Sequence, residues 1–156
     1  MNAPEPSFQP ASADYAERVR ASFGRQAAMR LIGAELVAIR PGYCAIALPV
    51  RREITQQHGY VHAGMVSTIV DTAGGYAGFT LFPADASVLT VEFKVNLMAP
   101  AAGERLIATG HVVKPGRTLS ITRGEVHAEA AGARTLVAIM QQTLMVMRGK
   151  SDREAS

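Results

Sequence analysis

The hydrophobic and polar positions between residues 62 and 77 repeat with the period of an α-helix. Apolar side chains recur at three- and four-residue spacing, which places them on one helical face: Val66, Ile69, Val70, Ala73, Tyr76 and Ala77. A second stripe at the same spacing holds small or polar residues: Gly64, Ser67, Thr68, Asp71, Gly74, Gly75 and Gly78. Asp71 is the only carboxylate between His62 and Asp85, so the helix has no charged face and is expected inside the protein.

A buried carboxylate on this helix is the first candidate for chemistry. Burial disfavours the ionised form and raises the pKa of a carboxyl group, and groups with shifted pKa values concentrate at functional sites. The pattern alone leaves a second interpretation equally open, in which Asp71 is a structural acid bonded to the backbone or to Thr90. The apolar face is expected to lie on a sheet, and the small-residue stripe is expected to face out of that sheet.

Residues 14–32 show a second helical pattern, which is amphipathic. Four apolar residues are spaced for one buried face, and arginines occupy the other: Tyr15, Val19, Phe23 and Ala27 form the buried face. Gly33 is placed to end this helix, because glycine readily adopts the left-handed conformation that closes many helices. The arginines are expected to be solvated.

Period-two alternation predicts six strands. Residues 34–40 and 43–50 flank the turn dipeptide Pro41-Gly42 and predict a hairpin. The clearest alternation follows, and its apolar face is expected in the core: Leu89, Val91, Phe93, Val95 and Leu97. The remaining strands are predicted over residues 104–114, 118–130 and 134–147. A change of phase near Gly124 predicts a β-bulge.

The order helix, two strands, helix, four strands predicts an α+β fold. Strands linked by short turns pair antiparallel, and a curved sheet of about six strands wrapped around the buried helix accommodates this order. One domain is expected over residues 14–147, after a disordered lead (1–13) and before a polar tail (148–156). A second copy of the chain or a ligand could cover the small-residue stripe, and a homodimer is expected.

Composition narrows the class of protein. At 156 residues, 48% of them hydrophobic, the chain suits one soluble domain, and without a run of 18 apolar residues no membrane segment is expected. The N-terminus lacks the apolar core of a secretory signal, so the expected location is the cytoplasm. The net charge of +3 comes from scattered basic residues, a pattern that does not predict nucleic-acid binding.

The cysteine and three of the histidines argue against thiol or metal chemistry. Cys44 lies in an apolar strand-like run and is expected as a small core residue. His58, His111 and His127 are spread over a loop and strands without the spacing of metal ligands, so no metal site is expected.

Three stretches resemble the hot-dog-fold acyl-CoA thioesterases of the phenylacetate-pathway type. They are the helix motif His62-Ala63-Gly64 with Asp71 nine residues after His62, the strand 88–98 with the turn 99–104, and the segment 113–118. The resemblance implies a hot-dog fold, homodimers that pair into a homotetramer, and active sites at the subunit interface. It also implies hydrolysis of acyl-CoA thioesters, with coenzyme A as part of the substrate and no separate cofactor.

The resemblance assigns the central chemistry to the helix motif. Asp71 is expected to act as general base on water or as nucleophile toward the thioester carbonyl. A backbone N–H at Ala63 or Gly64, at the helix N-terminus, is expected to bind the oxyanion, and His62 is expected to orient the start of the helix. Ala63 stands where the family usually has glycine, and its methyl group is expected to narrow the site or alter the acyl groups accepted.

Further roles follow from the resemblance with a looser match. Gln56, or its neighbour Gln57, takes the place of a loop asparagine that orients substrate or water. Thr90 falls where related enzymes hold the attacking water with a hydroxyl group. The turn near the coenzyme A nucleotide in relatives supplies four expected contacts: Lys114, Gly116, Arg117 and Thr118.

Two other functions use the same kind of domain. A hot-dog hydratase or dehydratase would pair its carboxylate with a nearby catalytic histidine, and this helix has none beside Asp71. A non-catalytic acyl-CoA sensor typically carries a DNA-binding helix-turn-helix ahead of the domain, whereas only a single helix is expected before Gly33. Both remain alternatives to thioester hydrolysis at this point.

Overall fold

A long central helix packed on one antiparallel sheet forms the frame of the molecule. The computed structural model describes residues 7–150 and residue 152. The chain begins with two helices and two strands: α1 (Tyr15–Arg25), α2 (Ala27–Ile32), β1 (Glu35–Arg40) and β2 (Tyr43–Pro49). The central helix and four consecutive strands follow: α3 (Ala63–Phe79), β3 (Ala86–Leu97), β4 (Arg105–Lys114), β5 (Leu119–Ala130) and β6 (Ala133–Arg148).

The strand order shows how the sheet surrounds the helix. The strands lie side by side as β1-β2-β4-β5-β6-β3, and every neighbouring pair is antiparallel. Helix α3 contacts the five strands β2 to β6. The predicted α+β architecture, a six-stranded curved sheet around one central helix, is therefore confirmed. Within the described residues, no helix is both long enough and apolar enough to cross a membrane.

Glycines in the sheet allow α3 to approach β4 and β5 at backbone contact distance. Gly110 of β4 and Gly124 of β5 are paired neighbours beneath the helix. A Cβ atom at Gly110 would overlap the carbonyl group of Ala73, and one at Gly124 would overlap the side chain of Val70. The helix therefore rests on two positions where the sheet has no side chain.

The glycines of α3 divide between two environments, which corrects the expectation that the whole small-residue stripe faces out. Gly74 and Gly78 are buried against β6, where added Cβ atoms would overlap the side chains of Gln142 and Leu144. They continue the i, i+4 row of Val70, which faces the sheet. The half-buried members of the stripe are Gly64, Ser67, Thr68 and Asp71.

Strand β3 departs from the strict alternation predicted for it. Its pairing with β6 shifts between Thr90 and Glu92, so Val91 is bulged. Thr90 and Phe93, which strict alternation would put on opposite faces, both lie opposite buried residues of β6. The prediction that this apolar face lies in the core is wrong, because β3 is an edge strand and several of its side chains are about half exposed: Leu89, Val91, Phe93 and Leu97.

Strand β5 keeps one phase along its length, contrary to the change predicted near Gly124. Its inner face is buried throughout: Ser120, Thr122, Gly124, Val126 and Ala128. The sequence pattern misled because the first inward positions are polar, whereas Leu119 and Ile121 face outward. Two irregularities do occur in its pairing, one with β4 between Val112 and Lys114 and one with β6 between Val126 and His127.

The N-terminal region forms two helices instead of the single predicted one. Gln26 adopts an extended conformation (φ −69°, ψ 101°) and separates α1 from α2, which leaves Ala27 exposed. Gly33 ends α2 in the left-handed conformation (φ 74°), as predicted. Arg18, predicted to be solvated, instead lies over the Phe79 ring and donates at 2.9–3.1 Å to three carbonyl oxygens, those of Phe82, Pro83 and Ala86.

Both predicted terminal segments fall partly outside the described residues, which exclude 1–6, 151 and 153–156. Residues 7–13 of the expected disordered lead are described. In this segment the ring of Phe8 packs against Gly42 in the β1–β2 turn. In the expected polar tail, Asp152 forms an ion pair of 2.7 Å with Arg25 of α1. The described parts of both segments therefore contact the domain.

Cys44 lies in the core, as predicted. The residue is fully buried in β2, and burial raises the pKa of its thiol to about 12. A thiol in that range stays protonated at neutral pH and is a poor nucleophile.

We expect Gly110→Ala to lower the free energy of unfolding by about 1–3 kcal/mol, because the new methyl group meets the backbone of α3 and the backbone cannot rotate away as a side chain would. Gly24→Ala is the matched control. Its added Cβ would have no atom within 4 Å, and alanine favours the helix, so it should stabilise the protein by about 0.5–1 kcal/mol. Urea unfolding followed by circular dichroism measures both, and equal stability of the two variants would contradict the close helix–sheet contact.

Candidate active site

The Asp71 carboxylate lies halfway along α3, where the helix faces β3 and β6. Thr90 Oγ1 donates to Asp71 Oδ1 at 2.8 Å, and Gln142 Nε2 donates to the same oxygen. Gln142 Nε2 also lies 3.0 Å from the backbone carbonyl oxygen of Asp71. The structure thus brings Thr90 and Asp71 together, and it does so through the bulge at Val91.

The environment of Asp71 acts on its ionisation in two directions. Burial raises the pKa of the carboxyl group above its ordinary value. The hydrogen bonds from Thr90 and Gln142 offset part of that rise, because they stabilise the ionised form. Both donors bond to Oδ1, and no donor among the described residues bonds to Oδ2. One carboxylate oxygen is therefore held, and the other is available to a substrate or a water molecule.

A cavity of about 130 Å³ opens beside this carboxylate. Its walls come from α3, β3 and the break between α1 and α2: Gln26, Asp71, Thr72, Gly75, Tyr76, Val88 and Thr90. The Tyr76 hydroxyl accepts from Gln26 Nε2 at 2.8 Å and donates to Ser22 Oγ at 3.0 Å. An added Cβ at Gly75 would meet no atom within 4 Å, so the cavity has open space beside this residue.

The N-terminus of α3 forms a second part of the candidate site. His62 is the N-cap residue, and its Nδ1 accepts the N–H of Gly64 at 2.8 Å. This bond requires Nδ1 to be unprotonated, so the imidazole acts as a helix cap. The N–H of Ala63 has no hydrogen-bond partner among the described residues, and Ala63 is exposed. The helix end therefore presents one free N–H donor, where the helix dipole favours negative charge.

A larger cavity, about 540 Å³, lies in front of this helix end. Its lining joins the loop before α3 to the turn after β3 and includes Gln56, Gln57, His62, Ala63, Leu97 and Ala101. The Gln56 side chain accepts the N–H of His58, which holds it within the loop. Both candidate glutamines therefore lie at the same cavity as Ala63.

The two parts of the site are far apart within one chain. Asp71 lies eight positions after Ala63 along a continuous helix, which corresponds to about 12 Å along the axis. One thioester carbonyl cannot contact the N–H of Ala63 and the carboxylate of Asp71 across that distance. Each chain thus carries the carboxylate of Asp71 at one place and the free N–H of Ala63 at another.

The predicted coenzyme A residues lie at an exposed turn between β4 and β5. They are Lys114, Gly116, Arg117 and Thr118. This turn is anchored to the end of β6, where the N–H of Val146 donates to the Thr118 carbonyl at 2.9 Å, and that end of β6 pairs with the start of β3. The loop at His62 lies beside Leu97, at the other end of β3. One chain therefore does not bring these residues together with Ala63.

Three residues of the site were not predicted from the sequence. Gln142 bonds to Asp71, Thr122 bonds to Gln142, and Gln26 bonds to Tyr76 in the cavity wall. Gln142 stands between the inward-facing Met140 and Leu144, so a polar residue at an inward position was the available signal. Within the described part of the chain, no three His, Cys, Asp or Glu side chains come together in a way that could hold a metal ion.

Sequence comparisons relate this geometry to known proteins. Residues 58–133 match the family described as the thioesterase superfamily. Human acyl-coenzyme A thioesterase 13 is 32% identical over 98 residues, which make up 62% of this chain and 69% of that protein. Acyl-coenzyme A thioesterase PaaI of Escherichia coli is 25% identical over 138 residues, which make up 88% of this chain and 89% of that protein.

Solved structures agree with this similarity. A thioesterase family protein from Silicibacter pomeroyi superposes with a TM-score of 0.86 at 47% identity, covering 86% of this chain and 99% of that chain. The Escherichia coli PaaI protein superposes with a TM-score of 0.77 over 90% of this chain and 99% of that chain, and at 18% identity it supports the fold alone. The predicted resemblance to hot-dog thioesterases of the phenylacetate-pathway type is confirmed. The chain therefore belongs to the thioesterase superfamily, a family of thioester hydrolases, and has the hot-dog fold.

Proposed function

We propose that this protein hydrolyses acyl-CoA thioesters to the free acid and coenzyme A. The observation that carries the proposal is the Asp71 carboxylate, which is half-buried beside a cavity with Oδ1 held by two donors. The two relatives named acyl-coenzyme A thioesterases support a CoA ester as the substrate class. Coenzyme A enters as part of the substrate, and the reaction consumes water without a separate cofactor.

Ionised Asp71 is the reactive group in this proposal. As general base, Oδ2 takes a proton from water while the water oxygen bonds to the thioester carbonyl carbon; as nucleophile, Oδ2 forms that bond itself. In both routes the carbonyl electron pair moves onto oxygen, and its return breaks the C–S bond. Coenzyme A leaves as the thiolate and takes up a proton. In the second route, water then hydrolyses the anhydride formed on Asp71. Thr90 holds the carboxylate through Oδ1.

The N–H of Ala63 is the proposed oxyanion donor. Of the two candidate amides, that of Gly64 is engaged by His62, whereas that of Ala63 has no partner among the described residues. A donor at a helix N-terminus stabilises the negative charge that develops on the carbonyl oxygen. In this proposal His62 positions the helix end, and Gln56 lines the space in front of it.

Each complete site combines two chains in this proposal. The axial separation of Ala63 and Asp71 excludes their action on one thioester within a chain. The 12-residue edge strand β3 supports a partner, because a long strand edge with half-exposed apolar side chains otherwise favours aggregation. We propose a homodimer in which Asp71 of one chain acts with Ala63 of the other; the homotetramer implied by the resemblance remains a prediction.

The exposed β4–β5 turn is the proposed contact for the nucleotide of coenzyme A. Lys114 and Arg117 carry positive charge at this turn, and cationic side chains with flexible stems suit phosphate groups. Gly116 and Thr118 complete the turn.

Replacing the proposed reactive group tests the reaction directly. We expect Asp71→Asn to lower kcat by at least about 100-fold, because the amide can neither accept a proton nor attack the carbonyl. Asp85→Asn, which removes an exposed acid from the loop after α3, is the control and should keep wild-type turnover. Release of free thiol from straight-chain and aromatic acyl-CoAs measures both. Turnover near wild type in a folded Asp71→Asn protein would refute the proposal, and no thiol release from wild type would favour a hydratase or a sensor.

The oxyanion donor can be removed without disturbing the helix. Ala63 is the first residue of α3, a position that favours proline, and His62 has the extended conformation (ψ 136°) that a following proline requires. We expect Ala63→Pro to lower kcat by about 100-fold through loss of the N–H. Ala63→Gly keeps the N–H and should stay within a few-fold of wild type. Equal thiol-release rates for the two variants would exclude this N–H as the donor.

Mixed dimers test whether the site is shared. Asp71→Asn and Ala63→Pro chains, co-expressed with different affinity tags and purified through both, should regain about half of the wild-type activity, because one of the two sites is then intact. Each parent homodimer should remain inactive. Mixed dimers as inactive as the parents would place the whole site in one chain, and a monomer in sedimentation at micromolar concentration would exclude the dimer.

A further inference from the structure

Gln142 is a polar side chain at one of the most enclosed positions of the protein. It is 1% exposed and lies in β6, whose neighbouring inward positions are apolar. Burying an amide requires hydrogen-bond partners for both its oxygen and its nitrogen. Gln142 finds those partners on different elements, β5 on one side and α3 and β3 on the other.

The direction of the hydrogen bonds fixes how the Gln142 amide is turned. The buried Thr122 hydroxyl donates to Gln142 Oε1 at 2.8 Å. The opposite end, Nε2, therefore faces Asp71 and donates to its carboxylate and its backbone carbonyl. A flipped amide would place Oε1 against two oxygens of Asp71 that can only accept, so Asp71 fixes the orientation and the Thr122 hydroxyl satisfies Oε1 in it.

Helix α3 leaves space for this amide through a glycine. A Cβ atom added to Gly74 would overlap Gln142 Oε1 and lie 3.0 Å from Thr122 Oγ1. The amide thus occupies the place where any other residue at position 74 would have a side chain. Strands β5 and β6 and helix α3 therefore meet at one series of hydrogen bonds, which runs from Thr122 through Gln142 to Asp71.

We propose that Gln142, held in place by the Thr122 hydroxyl, is a positioning residue that holds the Asp71 carboxylate in its ionised, reactive form. The catalytic consequence rests on the proposed function, whereas the effect on Asp71 itself does not. Thr122 acts only through Gln142. The pair keeps Oδ1 engaged, which leaves Oδ2 for the reaction.

The inference predicts the direction of a pH effect. Hydrogen bonds from Gln142 stabilise the charged carboxylate, so their loss raises the pKa of Asp71 further above its ordinary value. Activity needs ionised Asp71, and the acid limb of the rate profile therefore moves to higher pH. Among the described residues lining the cavity, Tyr76 is the only other titratable group. Burial raises the pKa of its hydroxyl, which stays neutral across this range, and the neighbouring Thr90, Gln26, Thr72 and Thr122 carry no charge.

Two substitutions separate the contribution of Gln142 from that of Thr122. Gln142→Met keeps a flexible side chain of similar length but removes the donor, and the acid limb of kcat should move up by about one pH unit. Thr122→Val keeps the shape and removes the hydroxyl that donates to Oε1, so Gln142 is held less firmly and a smaller shift in the same direction is expected. Gln141→Met alters the adjacent, exposed residue on the other face of β6 and should leave the profile unchanged. KM should change little in all three.

A direct titration of Asp71 keeps this inference separate from the proposed function. The carbon-13 signal of its carboxyl group, assigned by its absence in Asp71→Asn, reports ionisation without any substrate. We expect its midpoint to rise in Gln142→Met and, by less, in Thr122→Val, with Gln141→Met at the wild-type value. Unshifted midpoints in folded Gln142→Met or, if that variant does not fold, in Thr122→Val overturn the inference. Shifted midpoints without thiol release by wild type support it and count against the thioesterase proposal alone.

Discussion

Backbone contact between α3 and the strands beneath it sets the geometry on which the rest of the structure depends. Gly110 and Gly124 remove the side chains that would separate helix and sheet, and the helix settles onto β4 and β5. At that height, Asp71 reaches the side chains of β3 and β6 directly. A helix raised by a side chain at either position would move Asp71 away from Thr90 and Gln142. The contact therefore positions the two hydrogen bonds that lower the pKa of Asp71, as well as the packing of the helix.

The sequence predicted the architecture well because periodicity reports which faces are apolar. The central helix and the four final strands follow from spacing, and the hairpin follows from spacing together with the turn residues Pro41-Gly42. Spacing failed where a single residue broke the period. The bulge at Val91 puts Thr90 on the helix side of β3, and the extended Gln26 turns one amphipathic pattern into two helices. Neither Val91 nor Gln26 is a residue type that marks such a break in a sequence.

The predictable part of the candidate site comprised the central helix and the residues that the resemblance supplied, including Thr90 of β3. Asp71 was identified as the lone acid of α3, and the resemblance identified the helix end at Ala63. Gln142 and Thr122 escaped notice because they lie 20 residues apart on neighbouring strands and meet Asp71 only after folding. In the sequence, a polar residue at an inward position of a strand looks like an ordinary interruption of the alternating pattern. The exposure of the apolar face of β3 escaped prediction for a related reason: a pattern shows that a face is apolar, without showing whether the same chain covers it.

The conformation of Ala63 has a consequence for how such a site can diversify. His62 is extended and Ala63 is helical, so the backbone here does not require the left-handed conformation that would demand glycine. In the proposed mechanism the chemistry at this position belongs to the main-chain N–H, which every residue except proline possesses. The side chain at residue 63 is then uncoupled from catalysis and only shapes the wall of the cavity in front of the helix. In this proposal the side chain of residue 63 can change which acyl groups are accepted, while its main-chain N–H continues to accelerate the reaction.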